Sequence, residues 1–132
     1  MAELDTKQQE FLDNPFVGIV TTLRGDGSPH STVVWVDREN GGVSFNTARG
    51  RAKERHLNQD PRVSLLVVDP QNSYRWVAIT GTAELTDEGA DDQIDKLAKK
   101  YLGQDSYPWR SPDEQRVKVR ITPEKLDGSG LD

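Results

Sequence analysis

The densest group of cationic side chains lies in residues 46–57, with the sequence NTARGRAKERHL. Its cations are Arg49, Arg51, Lys53 and Arg55. They stand against one acid, Glu54, although the chain of 132 residues carries a formal net charge of −5. Thr47 is a typical N-cap residue, so we predict a helix that begins after Thr47 and ends near residue 58. Basic side chains at a helix start are suited to binding an anion such as phosphate.

Cations at a helix N-terminus are poorly placed, because the unpaired N–H groups there already carry roughly half a positive charge. Each exposed cation in that position costs on the order of a few tenths of a kcal/mol. A bound phosphate removes this cost by accepting hydrogen bonds from the N–H groups and the basic side chains. The alternative is a solvated basic face, balanced by acids elsewhere such as those in residues 84–95. The charge pattern alone leaves both interpretations open.

The chain has two histidines, His30 and His56, and no cysteine. The histidines lie at no spacing typical of metal ligands, and thiolate ligands and thiol nucleophiles are absent, so we predict no metal site. The motifs of serine hydrolases, zinc proteases and P-loop proteins are also missing. His30 follows Pro29 at a predicted strand start, where it is either an ordinary turn residue or a hydrogen-bond donor to a bound ring.

Three aromatic residues are further candidates for ligand contact: Tyr74, Trp76 and Trp109. Tyr74 and Trp76 share one face of a predicted strand, because side chains alternate along a strand. There they either cover a helix or form a flat apolar wall for an aromatic ligand. Trp109 precedes Arg110 in a predicted loop, where the two form either a satellite cluster or an interface anchor.

Short strands and tight turns account for most of the chain. Strands are predicted at residues 15–23, 30–37, 43–46, 63–68, 74–85 and 116–122. Asp26-Gly27 and Asn40-Gly41 indicate turns between the first three strands, which predicts a meander. Gly81, inside the long fifth strand, predicts a bulge or a bend such as a barrel corner. In the last strand, alternation predicts Val117, Val119 and Ile121 on the buried face.

Three helices accompany these strands. A capping box at residues 6–9 opens the first helix, and the basic segment forms the second. Thr86 is the predicted N-cap of the third helix, which Gly103 closes. A strand-rich order with one long helix late in the chain predicts a mainly β, α+β protein. We expect a closed or partly closed antiparallel barrel with peripheral helices, formed as a single domain by residues 1–132.

Composition narrows the class of protein. Hydrophobic residues make up 33% of the chain and charged residues 30%, which is compatible with a globular core and a polar surface. The start of the chain lacks the apolar region of a signal peptide, and no apolar run is long enough to span a bilayer. We therefore expect a cytoplasmic protein. The overall acidity argues against a general nucleic-acid-binding protein.

Three segments resemble the flavin and deazaflavin split-barrel oxidoreductases, which are relatives of pyridoxamine 5′-phosphate oxidase. They read GIVTTLRGDGSPHSTVVWVD, VSFNTARGRAKERHLNQDPRVSLLV and YRWVAITGTAEL. The resemblance covers residues 15–85 and the final strand, and it is most specific at G-x-P-x-x-S/T-V, R-A-K-x-x-x-L and D-P-R. It implies an antiparallel split β-barrel.

The resemblance also implies where a cofactor would bind. Its phosphate would be held by Arg51 and Lys53. Groups at the preceding strand end would assist: Asn46, Thr47 and Ala48. The ring system would lie beside a second set: His30, Thr32 and Val33. Family members are homodimers with two sites at the interface, so Tyr74, Trp76 and the Trp109 loop are expected to reach a site from the other subunit.

The resemblance leaves a choice between two cofactors. Oxidases of the pyridoxamine phosphate type use FMN, in longer chains with further basic residues near the C-terminus. The tail here, EKLDGSGLD, is acidic and rich in glycine. The compact R-A-K motif after Gly50 is more similar to the branch that uses coenzyme F420. The polyglutamate tail of F420 would suit additional cations at the mouth of the site, such as Arg49 and Arg55.

We therefore predict an F420-dependent oxidoreductase that acts on a planar conjugated acceptor, namely a quinone, an enone or a tetrapyrrole. Hydride transfer would be the chemistry of the cofactor, which the protein orients. No side chain is placed as a general acid, so the catalytic residues are unknown and the proton is expected to come from solvent. The alternatives are an FMN-dependent oxidase or reductase and a flavin or F420 carrier without turnover.

Overall fold

The computed structural model describes residues 2–39 and 41–131, and within them it shows one antiparallel sheet with three helices. The strands are β1 (Gly18–Leu23), β2 (Pro29–Val34), β3 (Asp37–Glu39), β4 (Gly42–Ala48), β5 (Arg62–Asp69), β6 (Asn72–Thr86) and β7 (Arg116–Ser129). The helices are α1 (Thr6–Leu12), α2 (Ala52–Gln59) and α3 (Ala90–Leu102). The mainly β prediction is confirmed.

The order of strands in the sheet is β2-β1-β5-β6-β7-β4-β3. The two edge strands, β2 and β3, follow each other in the chain with only Trp35 and Val36 between them. Three Cα–Cα steps span at most about 11 Å, so the two edges must lie close together and the sheet must curl. No ladder joins β2 to β3 within the described residues. The sheet is therefore a split, unclosed barrel.

The predicted strand at residues 30–37 is two strands, and the predicted meander is wrong. β2 pairs with β1, whereas β3 pairs with β4 at the opposite edge of the sheet. The interruption has a specific cause at Val36. Its N–H donates to Tyr101 Oη at 2.9 Å, and its carbonyl accepts from Lys100 Nζ at 2.7 Å, so neither group joins a ladder. The proposed turn residue Asn40 lies outside the described residues.

The core fills the inside of the curled sheet with side chains that alternate along the strands. Val117, Val119 and Ile121 are buried, as predicted. The bulge predicted at Gly81 is also confirmed, because the β6–β7 register shifts between Thr80 and Gly81. A Cβ at Gly81 would clash with the carbonyl oxygen of Thr122, so this position requires glycine.

The helix starts differ from their predicted positions. Asp5, not Thr6, caps α1, because the capping box forms between Asp5 and Gln8. Thr86 ends β6, and Gly89, in the left-handed region, is the N-cap of α3. Gly103 closes α3, as predicted. None of the described helices is both long and apolar enough to cross a membrane.

Candidate anion-binding site

The basic segment forms the connection between β4 and the start of α2. β4 continues through Ala48, where it still pairs with β7, so Thr47 is a strand residue and its predicted capping role is wrong. Gly50 turns the chain with a φ of +89°, in the left-handed region that favours glycine. Arg51 is the N-cap of α2, and no side chain caps this helix. Its first N–H groups therefore remain available to a ligand.

A cavity of about 180 Å³ lies among β2, β4, α2, α3 and the segment that follows α3. Six of its lining residues were predicted from the sequence: Val33, Asn46, Thr47, Arg51, Lys53 and Trp109. Six others were not predicted: Val34, Trp35, Ile94, Leu97, Tyr107 and Arg116. One end of the cavity is cationic and the other is aromatic.

Two arginines at the cationic end share one carboxylate. Arg116 is only 6% exposed, and its Nη1 donates to Glu114 Oε1 at 2.8 Å. Arg51 Nη2 donates to the other oxygen, Glu114 Oε2, at 2.6 Å. Burial by itself raises the pKa of Glu114, but the hydrogen bonds from Arg116 and Arg51 outweigh burial and hold this pKa below its usual value. Glu114 is therefore ionised at neutral pH.

Lys53 is the third cation of the cavity, and it has no acidic partner. Among the residues that the structure describes, its ammonium group makes no hydrogen bond or ion pair. Burial lowers the pKa of Lys53, and the charges of Arg51 and Arg116 lower it further. A partly buried ammonium group without a counter-ion is unfavourable. The cavity is thus arranged to receive an anion from outside the chain.

A buried polar network holds Asn46 in place beneath the cations. Asn46 Nδ2 donates to Ala90 O at 2.8 Å and to Gln93 Oε1 at 3.0 Å. Gln93 Nε2 in turn donates to Ser44 Oγ at 2.8 Å. These bonds leave Asn46 Oδ1 to accept from Arg116 Nε at 2.8 Å. The Arg116 guanidinium is consequently fixed from two sides.

The aromatic end of the cavity is formed by Trp35, Tyr107 and Trp109. Trp35 stacks on Tyr101 with ring centroids 5.4 Å apart and planes 9° apart. Tyr107 contacts Trp35 and Trp109 edge to face, at 6.1 and 5.7 Å. The Arg116 guanidinium lies 5.3 Å from the centre of the Tyr107 ring. Trp109 is 63% exposed at the cavity mouth, where its ring is accessible to a ligand.

The sequence profile of pyridoxamine 5′-phosphate oxidase matches residues 4–129. The chain belongs to the pyridoxamine 5′-phosphate oxidase family. The match spans nearly the whole chain, which confirms the resemblance seen in its motifs.

Solved structures of similar proteins agree with this family. An F420 reductase is 25% identical, with a TM-score of 0.78 over 90% of this chain and 94% of that one. A conserved hypothetical protein from Mycobacterium tuberculosis is 23% identical, with a TM-score of 0.75 over 98% and 87%. A putative pyridoxamine 5′-phosphate oxidase from Listeria innocua is 20% identical, with a TM-score of 0.71 over 94% and 98%. Together with the family, the F420 reductase supports an oxidoreductase of the flavin or deazaflavin type.

Six residues predicted to bind the cofactor do not line the cavity of this family member: His30, Thr32, Ala48, Arg55, Tyr74 and Trp76. Arg55 Nη1 donates to Gly50 O at 2.7 Å, on the outside of the turn. Tyr74 is 81% exposed near the start of β6. The His30 ring contacts the His56 ring edge to face at 5.1 Å. Their contact with a cofactor remains a prediction.

Three buried polar atoms in this region have no hydrogen-bond partner among the described residues. They are Thr47 Oγ1, Thr32 Oγ1 and His30 Nδ1, all in residues that were predicted to lie beside the cofactor. An unsatisfied buried polar group costs about 1–3 kcal/mol. Thr47 Oγ1 also belongs to the cavity wall, so it is available to a ligand bound with Lys53. No group of three or more potential metal ligands occurs in the described residues.

Proposed function

We propose that the protein is an F420-dependent oxidoreductase that transfers hydride between the deazaflavin and a planar conjugated acceptor, such as a quinone, an enone or a tetrapyrrole. The observation that carries this proposal is the unpaired Lys53 ammonium group beside Arg51 and Arg116. Membership of the family supports a cofactor of the flavin type, and similarity to an F420 reductase favours the deazaflavin.

The residues at the cationic end fit the phosphate of such a cofactor. Lys53 would pair with it, Arg51 would add a charge-assisted hydrogen bond, and Thr47 Oγ1 would gain a partner. The uncapped start of α2 would contribute backbone N–H groups. The bound deazaflavin supplies the hydride chemistry, while these residues fix its position.

The ring system would extend beyond the cavity. Sites for small-molecule ligands usually enclose about 300–1,000 Å³, and this cavity of about 180 Å³ is smaller. Val33 lines the cavity and is also 60% exposed. It begins a row of cross-strand neighbours on the outer face of the sheet, here called the outer apolar row: Val33, Ile19, Leu66 and Ala78. An apolar ring system leaving the cavity would lie against this row.

We further propose that a second copy of the chain covers the outer apolar row. Leu66, in the middle of the row, is 41% exposed, and Val33 is 60% exposed. Exposed apolar surface beside a ligand cavity is typical of an interface. In a symmetric dimer, the same surface would complete two equivalent sites. This arrangement matches the homodimer predicted from the family resemblance.

The proton in the proposed reaction would come from solvent. Among the described residues that line the cavity there is no histidine and no carboxylic acid. Trp109, which is 63% exposed, instead offers a flat surface against which a conjugated acceptor would stack. Rate acceleration would then come mainly from orientation, and acceptors of several planar types should be used.

Two measurements test the proposal. The first is a fluorescence titration of the purified protein with F420 and, separately, with FMN. Tight binding of F420 supports the proposal, whereas binding of FMN alone would favour the FMN-dependent alternative that the family also allows. The second mixes the protein with reduced F420 and a panel of quinones, enones and biliverdin, and follows the return of oxidised F420 absorbance. Tight F420 binding without acceleration over an enzyme-free control would indicate a carrier.

A further inference from the structure

Glu114 is the acidic group that controls the charge of the cationic end. It does not line the cavity, but its carboxylate accepts hydrogen bonds from Arg51 Nη2 at 2.6 Å and from Arg116 Nη1 at 2.8 Å. It lies on a neighbouring cavity of about 370 Å³ that Arg116 also lines. Its lowered pKa keeps it negative at neutral pH. Two of the three cations that face a ligand are therefore already bonded to a carboxylate.

Two neighbouring arginines do not offset this carboxylate, because each pairs with aspartates of its own. Arg110 also lines the neighbouring cavity, but it pairs with Asp91 at 3.1 Å and with Asp95 at 2.6 Å. Arg49, on the turn before α2, pairs with Asp87 at 2.8 Å. An anion that binds at Lys53 is therefore also repelled by the negative charge of Glu114.

Phosphate groups differ in how strongly the negative charge of Glu114 would repel them. A phosphomonoester such as that of FMN carries close to two negative charges above its second pKa near 6, and it has three free acceptor oxygens. A phosphodiester such as that of F420 carries one charge and has two free oxygens. Glu114 repels the monoester roughly twice as strongly, and it occupies guanidinium donors that a third oxygen would need.

We propose that Glu114 is a specificity-determining residue that biases the site toward singly charged phosphodiester cofactors and against doubly charged phosphomonoesters. This inference rests on the proposed binding of a cofactor phosphate at Lys53. It concerns the selectivity of the site for deazaflavin over flavin, which the three cations alone do not determine.

The test compares Glu114→Gln with the wild-type protein. Binding is measured at about pH 8 for FMN, for the methyl phosphodiester of FMN and for F420. The two flavins share one ring and side chain, so their affinity ratio isolates the phosphate charge. Glu114→Gln should improve FMN binding relative to its methyl ester by about threefold to thirtyfold, the range that Coulomb's law gives for one charge at an assumed separation of about 8 Å. Asp113→Asn is the matched control, because it removes a charge from the adjacent exposed residue.

The affinity ratio between FMN and its methyl ester decides whether Glu114 determines specificity. An unchanged FMN-to-ester ratio in Glu114→Gln would overturn the inference and leave Glu114 as a group that only positions the two arginines. If the wild type binds F420 but neither flavin, new FMN binding in Glu114→Gln supports the inference and its continued absence overturns it. If none of the three cofactors binds the wild type, the proposed function itself fails. Glu114→Ser provides the same charge change should the glutamine variant misfold.

Discussion

At the residue scale, the charge of Lys53 lowers the stability of the fold and favours the binding of an anion. Burial and two neighbouring guanidinium groups disfavour its charged form, as its lowered pKa shows. The same charge, without a partner in the described residues, is what an anionic cofactor would bind. A residue that lowers stability in the free protein and gains its partner only from a ligand is typical of a binding site.

Replacing Lys53 by Met should therefore have opposite effects on stability and binding. We expect weaker F420 binding by about 1.5–3 kcal/mol, the range for a hydrogen bond to a charged group. We also expect a higher midpoint of urea unfolding, because the variant removes a partly buried charge that has no partner among the described residues. Lys125→Met, at an exposed position on β7, is the control and should change neither quantity. Unchanged F420 affinity in Lys53→Met would refute the phosphate assignment.

The lowered pKa of Lys53 also predicts a pH dependence. Between this pKa and the ordinary value of 10.5, the unfolded chain binds more protons than the folded chain, so the contribution of Lys53 to stability rises with pH. Anion binding has the opposite trend, because it requires the protonated ammonium group. F420 affinity should fall as pH rises through the lowered pKa. Titrations from about pH 7 to pH 10 should show this fall in the wild type and lack it in Lys53→Met.

The sequence predicted the two cations of the site that are close together in the chain, but it missed Arg116 and Glu114, which are distant in sequence. Arg51 and Lys53 lie two residues apart at a helix start, so the charge pattern pointed to them and the family resemblance assigned them to the phosphate. Arg116 comes more than sixty residues later, on the strand face that alternation assigns to solvent. It is buried because α3 and the segment after it cover that face, which no local pattern of β7 reveals. Glu114 was missed because it lies before β7, and its bond to Arg51 joins residues 63 positions apart.

At the element scale, strands were easier to predict than helix ends. Apolar runs bounded by turn residues, together with alternation in the fifth and sixth predicted strands, identified six segments of strand. Helix starts were harder to predict, because a residue with a capping side chain can remain paired in the preceding strand instead. Thr47 has the side chain of a cap but remains in the β4–β7 ladder, and Thr86 likewise remains in β6. The split of the predicted second strand at Val36 depends on Tyr101 and Lys100, which are distant in sequence.

The bulge in β6 gives a prediction about stability. In Gly81→Ala, the new methyl group would clash with the Thr122 carbonyl oxygen, so the β6–β7 ladder must separate locally. We expect a loss of about 3 kcal/mol in the free energy of unfolding, at the upper end for overpacking. Gly25→Ala is the control, because its nearest contact would be Gln59 Oε1 at 3.6 Å. Equal urea midpoints for the two variants would contradict the assignment of strain to Gly81.

At the scale of the whole molecule, the proposed dimer makes cofactor affinity depend on assembly. Leu66→Lys places a charge in the middle of the outer apolar row at a position that is 41% exposed. The fold should tolerate it, whereas a second copy should not. We expect sedimentation to show a monomer at micromolar concentration, together with weaker F420 binding. Glu10→Lys, on the exposed side of α1, is the control and should remain dimeric. A monomeric Leu66→Lys with full F420 affinity would contradict a site completed by the second copy.

The position of β4 between β3 and β7 has a consequence for synthesis on the ribosome. Roughly 70 residues separate β4 from β7, which at 5–20 residues per second is roughly 3–14 s of translation. During that time β4 can pair only with the three residues of β3, and its other edge remains open to other chains. Nascent chains stalled before Arg116 should therefore bind chaperones or aggregate. Chains stalled after β7 has left the exit tunnel should fold and resist protease.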